Sequence, residues 1–592
     1  MMSKFTETRF GFAAESFEPT PASIPPVKQI FRLRTPPGLP VNLHPLNPLL
    51  FLLRCAQICP QKLALAHPDV EYPVFYSYAV WAQRIQNLAY ALIMSGIQPG
   101  DRVAVIAPNS PLIADAHHGV LAARGVLTPI NTRLTKHEVS YILQHSGAKI
   151  ILVDHEYVHL VSDANARCIV SMDTGRVSDP YEDFLNEGRT FSAEKGWSGL
   201  DMELNEDSAA TLCYTSGTTG RVNVLTVTIY PSDEDYWQPK GVLSTLRGSY
   251  LASIGNAFEA RLDRNAVYLW ILPMFHAAGW TFPWAITFAF ASQITMRTVS
   301  NSLIWSHFKN FGVSHYCAAP TVQIGIINDP DAVRLPSPIM AIIAGSAPTA
   351  HLIGELEKKN ILAVHVYGLT FTYGPFTRAY AQPSWEMLSL EERAKLMARQ
   401  GHSFATAQEV RVVSFGDNDE LIDVPADGKT VGEIVTRGNI VMKEYFRDER
   451  ATQKAFRGGY FGSGDLAVMY PDGAIAIQDR SKDIIISGGE NASSLAIEQE
   501  LSTHPDILEV AVVARPHPRW GERPMAFVVL RPEKVRQWNK ADNDFSESLK
   551  VFSRGRLPGF ACPEWVQVVD ELPKTSTGKI LKTTLRGIVA KL

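Results

Sequence analysis

The chain reads as an α/β protein: a large N-terminal domain with doubly wound mixed sheets, then a small C-terminal α+β domain. Three observations predict this. Apolar strand-like runs alternate with helical periods from Leu49 onward; a Ser/Thr/Gly run sits directly behind one of those strands; and past Lys482 the pattern contracts to a short strand, helix, strand unit. With 592 residues, 46% hydrophobic and 20% charged, the chain is long enough for more than one domain and apolar enough for a large core. A net charge of -4 offers no basic field for nucleic acid or anionic lipid. The six cysteines (Cys55, Cys59, Cys168, Cys213, Cys317, Cys562) show neither CxxC nor zinc-finger spacing, which argues against a metal site or a disulfide framework.

In chain order, residues 1–40 carry seven prolines with little periodicity and read as an extended arm. Ala79 to Ser95 has helical spacing, and Gly96-Ile97-Gln98-Pro99-Gly100 ends that helix. Arg102 to Ala107 then reads as a buried strand, Ser110 to Arg124 as a helix, and Lys149 to Asp154 as another strand. Strand and helix in alternation place ligands at strand carboxyl ends. Asn265 to Met296 lacks Asp, Glu, Lys and Arg and is long enough to span a bilayer, but Pro273, His276 and Pro283 interrupt it. It reads better as a buried strand, a loop and a buried helix, so no transmembrane segment is expected. Strand signals return at Val313 to Ala318, Ala341 to Ile343 and Ala363 to Tyr367. Residues 41–481 form the large domain and 482–592 the small one, with strands at Val510 to Val513 and Ala526 to Leu530.

The run behind the strand ending at Tyr214 is Thr215-Ser216-Gly217-Thr218-Thr219-Gly220. Glycines let successive N–H groups converge on an anion, and hydroxyls add donors without charge, so the run suits phosphate. A Ser/Thr/Gly surface turn has the same composition. Seven further motifs follow in order: Pro273 to His276; Ala344-Gly345-Ser346-Ala347-Pro348; Tyr367-Gly368-Leu369-Thr370; Gly464-Asp465-Leu466; Asp479-Arg480-Ser481-Lys482-Asp483; Gly488-Gly489-Glu490-Asn491; and Pro573 to Lys579. Together they resemble the adenylate-forming (AMP-binding) superfamily from about Leu49 to Leu585, with an amino-terminal half closest in wording to fungal peroxisomal acyl-CoA ligases.

This resemblance implies two half-reactions: a carboxylate attacks ATP to give an acyl-adenylate, and the thiol of coenzyme A then displaces AMP. It implies that Lys579 bridges carboxylate and α-phosphate, that Asp465 accepts the ribose hydroxyls with help from Arg480, and that Thr215 to Gly220 hold phosphate. Gly345, Ser346 and Ala347 would line the adenine site, Tyr367 would stack there, and Gly368 and Thr370 would complete that wall. His276 would stand at the mouth of the acyl pocket, although a satisfied core histidine fits the same pattern. Lys482 would be the hinge joining the domains, whose rotation swaps Lys579 for a thiol-accepting face at Gly488 and Gly489. The substrate expected is a fatty or polyketide-derived acid. Ala590-Lys591-Leu592 resembles a peroxisomal address, implying an import receptor as partner and a peroxisomal location.

Two departures from the family pattern stand out. Val222 to Gln238, seventeen residues, interrupts a motif that otherwise continues Thr-Gly-Arg-Pro-Lys-Gly-Val, resuming at Pro239-Lys240-Gly241-Val242. Codons for Val and Gln can supply the two ends of an intron, so a retained intron is one reading and a true insertion the other. Second, Phe371 stands where the family carries a glutamate that holds Mg²⁺ against the phosphates, and a phenyl ring offers no oxygen to a hard cation. Lesser departures are Gly462 for a usual His and Glu444 for a usual Gly. A paralogue that binds nucleotide or acyl ligand with impaired turnover, or an adenylating enzyme using another acceptor, are the alternatives these departures raise.

Overall fold

In the computed structural model, which describes residues 17–215, 239–407, 409–538, 542–575 and 578–592, the expected alternation produces two large sheets. One has seven strands and is built on Arg102–Ile106, Val126–Pro129, Ile150–Asp154 and Arg167–Ser171, all parallel. Ala209–Tyr214 joins it in parallel; Gly241–Thr245 and then Glu444–Tyr445 add antiparallel strands at the edge. The other has nine strands: Val267–Trp270, Ser292–Thr295, His315–Ala318, Ile339–Ile343 and Ile361–Leu369 run parallel, with Leu63–His67 beside them. Antiparallel strands close both of its ends, Val74–Ser77 on one side and Gly374–Arg378 with His402–Ser403 on the other. Both sheets are mixed, as expected. Each draws strands from before residue 215 and from after residue 239.

The parallel strands are apolar on both faces because helices cover both faces. Tyr78–Met94 is capped by Ser77, whose side chain accepts from Val80 N, and nearly its whole circumference is buried. Lys136–Ser146 carries a capping box of Thr135 and Glu138 and ends at Gly147 with φ 63°, a left-handed C-cap that favours glycine. The uncharged stretch from Asn265 resolves into the buried strand Val267–Trp270, a turn and the short helix Phe282–Phe288. No helix among the described residues is long and apolar enough to cross a membrane.

The arm is more than a loose extension. Ala22, Ser23 and Leu33 are buried, and Thr20 Oγ1 donates to Glu182 Oε2 at 3.2 Å. Beneath it Arg84, 1% exposed, pairs with Asp115 at 3.0 Å and Glu182 at 2.8 Å, and donates to Ser23 Oγ at 3.2 Å. Burial raises the Asp115 carboxyl pKa, and the Arg84 charge opposes it. A third, six-stranded sheet spanning Glu409–Arg480, which the sequence reading leaves out, carries Tyr460–Met469 against Ile475–Arg480. The small domain is a five-stranded sheet around Ile507–His517 and Gly521–Leu530 with its own core of Ile485, Ile497, Val512, Val528, Phe545 and Leu549.

Candidate active site

The adjacent strands Tyr460–Met469 and Ile475–Arg480 put Asp465 directly opposite Arg480. Register thus fixes the pair before any side chain acts. Asp465 Oδ1 lies 3.5 Å from Arg480 Nε, and Asp465 Oδ2 accepts a hydrogen bond from Tyr367 Oη at 2.7 Å. Tyr367 is buried, with its ring tilted against Phe376 at 5.2 Å. Its expected position at the nucleotide wall is therefore combined with a hydroxyl that orients the carboxylate. Burial, and then the Asp465 charge, push the Tyr367 hydroxyl pKa well up, so it remains a donor.

Lys579 closes this cluster from the small domain. Burial lowers its pKa to about 7, helped by the cations Arg480 and Lys482 and opposed by Asp465 and Asp483. The turn that carries it is tied to the large domain through Thr321 Oγ1, which donates to Gly578 O at 2.6 Å, and is locked on itself by Thr575 N to Lys579 O at 2.7 Å. Gly578 has φ +82°, the left-handed region that favours glycine. His276 is also within the electrostatic reach of Lys579: burial first, then that ammonium, lowers the imidazole to about 4. An imidazole lowered this far is neutral near pH 7 rather than a cation.

His276 opens an unusual turn. Ala277, Ala278, Gly279, Trp280 and Thr281 all have positive φ, from 42° to 64°. Four of the five bear side chains, and each such residue costs on the order of 1–2 kcal/mol. Buried amides tie down the approach to this run and its last residue. Asn109 Nδ2 donates to Trp270 O at 3.0 Å and Leu272 O at 3.1 Å, while its Oδ1 accepts from Met274 N at 2.8 Å. Asn256 Nδ2 donates to Thr281 Oγ1 at 3.0 Å. Neither asparagine belongs to a motif read from the sequence; only the position of Asn109, three residues past a strand end, hints at it.

The remaining predicted residues fall as follows. Gly345 has φ +90° and stands exposed with Ser346, Ala347 being half-buried, so the backbone there is open to a flat ligand. At Gly368 a Cβ would lie 2.1 Å from Gly374 O, which makes glycine obligatory by close strand approach. Thr370 begins the short turn Thr370–Thr372. Gly488 and Gly489 occupy an exposed turn of the small domain with φ +65° and +89°, and are not brought to the Asp465 cluster. Lys482 follows the strand that holds Arg480; its carbonyl accepts from Arg586 Nη2 at 3.3 Å, and partial burial and Arg480 lower its ammonium pKa. Asp483, beside it, pairs with Arg586.

Within the predicted phosphate run only Thr215 is described; Ser216, Gly217, Thr218, Thr219 and Gly220 lie outside the described residues. The flanks are informative. Tyr214 pairs with Gly241, and Thr215 N donates to Lys240 O at 3.0 Å, so the two sides of the interruption meet as a closed antiparallel stem. Lys240 Nζ lies 3.2 Å from Asp448 Oδ2 and 5.3 Å from the centre of the Tyr445 ring. Asp448 also caps the helix Glu449–Ala455, accepting from Ala451 N at 2.9 Å.

Phe371 packs into the same corner, with ring centres 5.7 Å from Tyr445 and 5.1 Å from Phe461. Its carbonyl accepts from Met442 N at 2.6 Å. The ring packs against a small apolar cluster of Val242, Met442 and Phe461. Glu444 precedes Tyr445 in a strand, so its side chain faces the other way. The Phe371 ring and the aromatic rings around it offer no oxygen to a hard cation, so this position does not fit Mg²⁺.

Comparison with known proteins places these features. The sequence profile described as "AMP-binding enzyme" matches residues 53–228 and 238–446, and the one described as "AMP-binding enzyme C-terminal domain" matches 496–579. The first match breaks inside the interruption noted above. A peroxisomal acetate/butyrate–CoA ligase of Arabidopsis thaliana is 38% identical over 578 residues, covering 93% of this chain and 95% of that one. A peroxisomal trans-cinnamate:CoA ligase of Petunia hybrida is 34% identical, again covering 93% and 95%. Among solved structures, ATP-bound MatB from Rhodopseudomonas palustris superposes with a TM-score of 0.75 at 24% identity, covering 92% of this chain and 99% of that chain. The anthranilate CoA ligase AuaEII in complex with anthranoyl-AMP gives 0.75 at 21%, covering 93% and 99%.

Proposed function

The chain belongs to the AMP-binding enzyme family, and from that membership we propose that it is an AMP-forming acid:CoA ligase acting on a small carboxylic acid. The observation that carries this reading is the convergence of Lys579 from one domain on Asp465, Arg480 and Tyr367 from the other, with His276 alongside. A carboxylate acceptor fixed between a guanidinium and a phenol suits a vicinal diol. A buried ammonium suits the carboxylate and α-phosphate anions, whose arrival would restore its full charge. Gly345 and Ser346 leave backbone open for the flat base. Once the acyl-adenylate is made, the thiol of coenzyme A takes the acyl group, and the small domain must turn about Lys482 to bring Gly488 and Gly489 to the site.

Substrate class follows the relatives. They are named for acetate, butyrate and trans-cinnamate, and the narrower fatty or polyketide-derived acid expected from sequence gives way to short aliphatic or arylalkyl acids as the first to assay. A peroxisomal location rests on relatives named as peroxisomal and on Ala590-Lys591-Leu592, all three residues of which are exposed for an import receptor. AMP formation measured with ATP, coenzyme A and a panel of acids from acetate to cinnamate tests the reading. Coenzyme-A-dependent AMP release with at least one of them is expected; nucleotide binding without AMP release from any would instead favour the turnover-impaired paralogue.

A further inference from the structure

The nucleotide site is unevenly preserved. Its monophosphate half, with Asp465, Arg480, Tyr367 and Lys579, is complete. Phe371, at the position where the resemblance puts a Mg²⁺-holding glutamate, and Lys240, at the foot of the strand beside the phosphate run, are instead built into a common packing unit. Phe371 is wedged between Tyr445 and Phe461, and Lys240 is ion-paired to Asp448 over the face of Tyr445. These four contacts belong to one unit, since Tyr445 touches both Phe371 and Lys240 and its strand pairs with the strand that follows Lys240. The phenyl ring supplies no oxygen ligand, and the Tyr445 ring it packs against also lies under the Lys240 ammonium that is paired with Asp448.

We propose that this enzyme has a remodelled triphosphate end, so that it uses an acyl-adenylate, the mixed anhydride of a carboxylic acid and AMP, far better than it makes one from acid and ATP. The inference rests on the ligase reading above. In the retained step the sulfur of coenzyme A attacks the acyl carbonyl carbon, a C–S bond forms, and the C–O bond to phosphate breaks. AMP leaves with that electron pair, and the thiol proton passes to solvent. Nothing is oxidised or reduced.

The test compares two routes to the same thioester with the full-length protein: synthetic butyryl-adenylate plus coenzyme A, against butyrate, ATP, Mg²⁺ and coenzyme A. The supplied adenylate is expected to react about ten- to a thousandfold faster. Titration calorimetry gives a second readout, in which AMP binds at least as tightly as ATP and Mg²⁺ does not strengthen ATP binding. Phe371→Glu and Asp448→Asn should each raise the acid-plus-ATP rate relative to the adenylate rate by about fivefold or more, whereas Phe371→Leu should not. Equal rates by the two routes, or ATP binding that tightens with Mg²⁺, would overturn the inference and leave the ligase reading standing. Failure of both routes would sink the ligase reading and this inference together.

Discussion

Lys579 shows how burial sets chemistry at a single residue. With its pKa lowered to about 7, it is half charged at neutral pH in the ligand-free enzyme. As pH rises through 7 the ammonium is lost, so kcat/KM for adenylation should fall about tenfold per unit above that value, measured by pyrophosphate release. The unfolded chain keeps this lysine protonated up to its ordinary value of about 10.5, so folding stability attributable to it rises between about pH 7 and pH 10.5. Lys579→Ala should cut adenylation by about two to three orders of magnitude while stabilising the protein at pH 6 by about 1–3 kcal/mol, read from denaturant midpoints. A variant that lost stability at pH 6 would contradict the buried-cation account. The identity and order of Asp465, Arg480 and Lys579 were legible as spaced motifs. Their electrostatics were not, because desolvation depends on what Thr321 and the turn at Gly578 bring together across 257 residues of chain.

Among the elements, the left-handed run Ala277 to Thr281 was invisible in sequence. Two of its residues are alanines, which ordinarily avoid that region, and the side chains that fix its flanks, Asn109 on the approach at Trp270 to Met274 and Asn256 on Thr281, belong to no readable motif. Asn109→Ala would leave two buried carbonyls and one N–H without their partner, and should cost about 2–4 kcal/mol and raise KM for the acid more than KM for ATP. Equal shifts in both KM values would remove Asn109 from the acyl side. The hairpin around residue 215 carries a second prediction. Because the stem is already closed at Thr215 and Lys240, deleting Val222 to Gln238 should leave the thermal midpoint within about 2 °C, loop length having a weak effect on stability. A message sequenced across Thr219 to Gly241 distinguishes insertion from retained intron; codons for the whole segment in the mature transcript would exclude the intron. The strand and helix alternation was readable because period follows backbone geometry, whereas the six-stranded sheet of Glu409–Arg480 includes strands of only two and three residues, and its long strand Tyr460–Met469 is interrupted by Gly462 and Gly464.

For the molecule as a whole, the arrangement described is the one with Lys579 turned inward. Among the described residues it is held by Thr321 to Gly578, by Arg531 Nη1 to Asn328 Oδ1 at 3.2 Å and, beside the hinge, by Ser494 N and Oγ donating to Asp479 Oδ2 at 2.6 and 2.7 Å. Those contacts are polar, as the proposed domain rotation requires of an interface that opens. Lys482→Pro should stiffen the pivot: pyrophosphate release should persist, and thioester formation should fall about tenfold or more. Equal loss of both steps would argue for misfolding, and loss of neither would move the pivot elsewhere. Two-domain organisation was legible from the change of pattern at Lys482; which face of the small domain turns inward was not, since both Lys579 and Gly488 lie in equally good motifs.

Both large sheets are shared between two stretches of chain: the part before residue 215 supplies one block of adjacent strands in each, and the part after residue 239 supplies the rest together with the two smaller sheets. A polypeptide cut between Val222 and Gln238 would yield a first piece without a complete sheet of its own and a second that keeps the six- and five-stranded sheets, and the two would rejoin along the ladder from Ala209–Thr245 to Tyr214–Gly241. The site of the interruption is thus a natural place to divide the protein into complementing fragments, with ligase activity as the signal of their reunion.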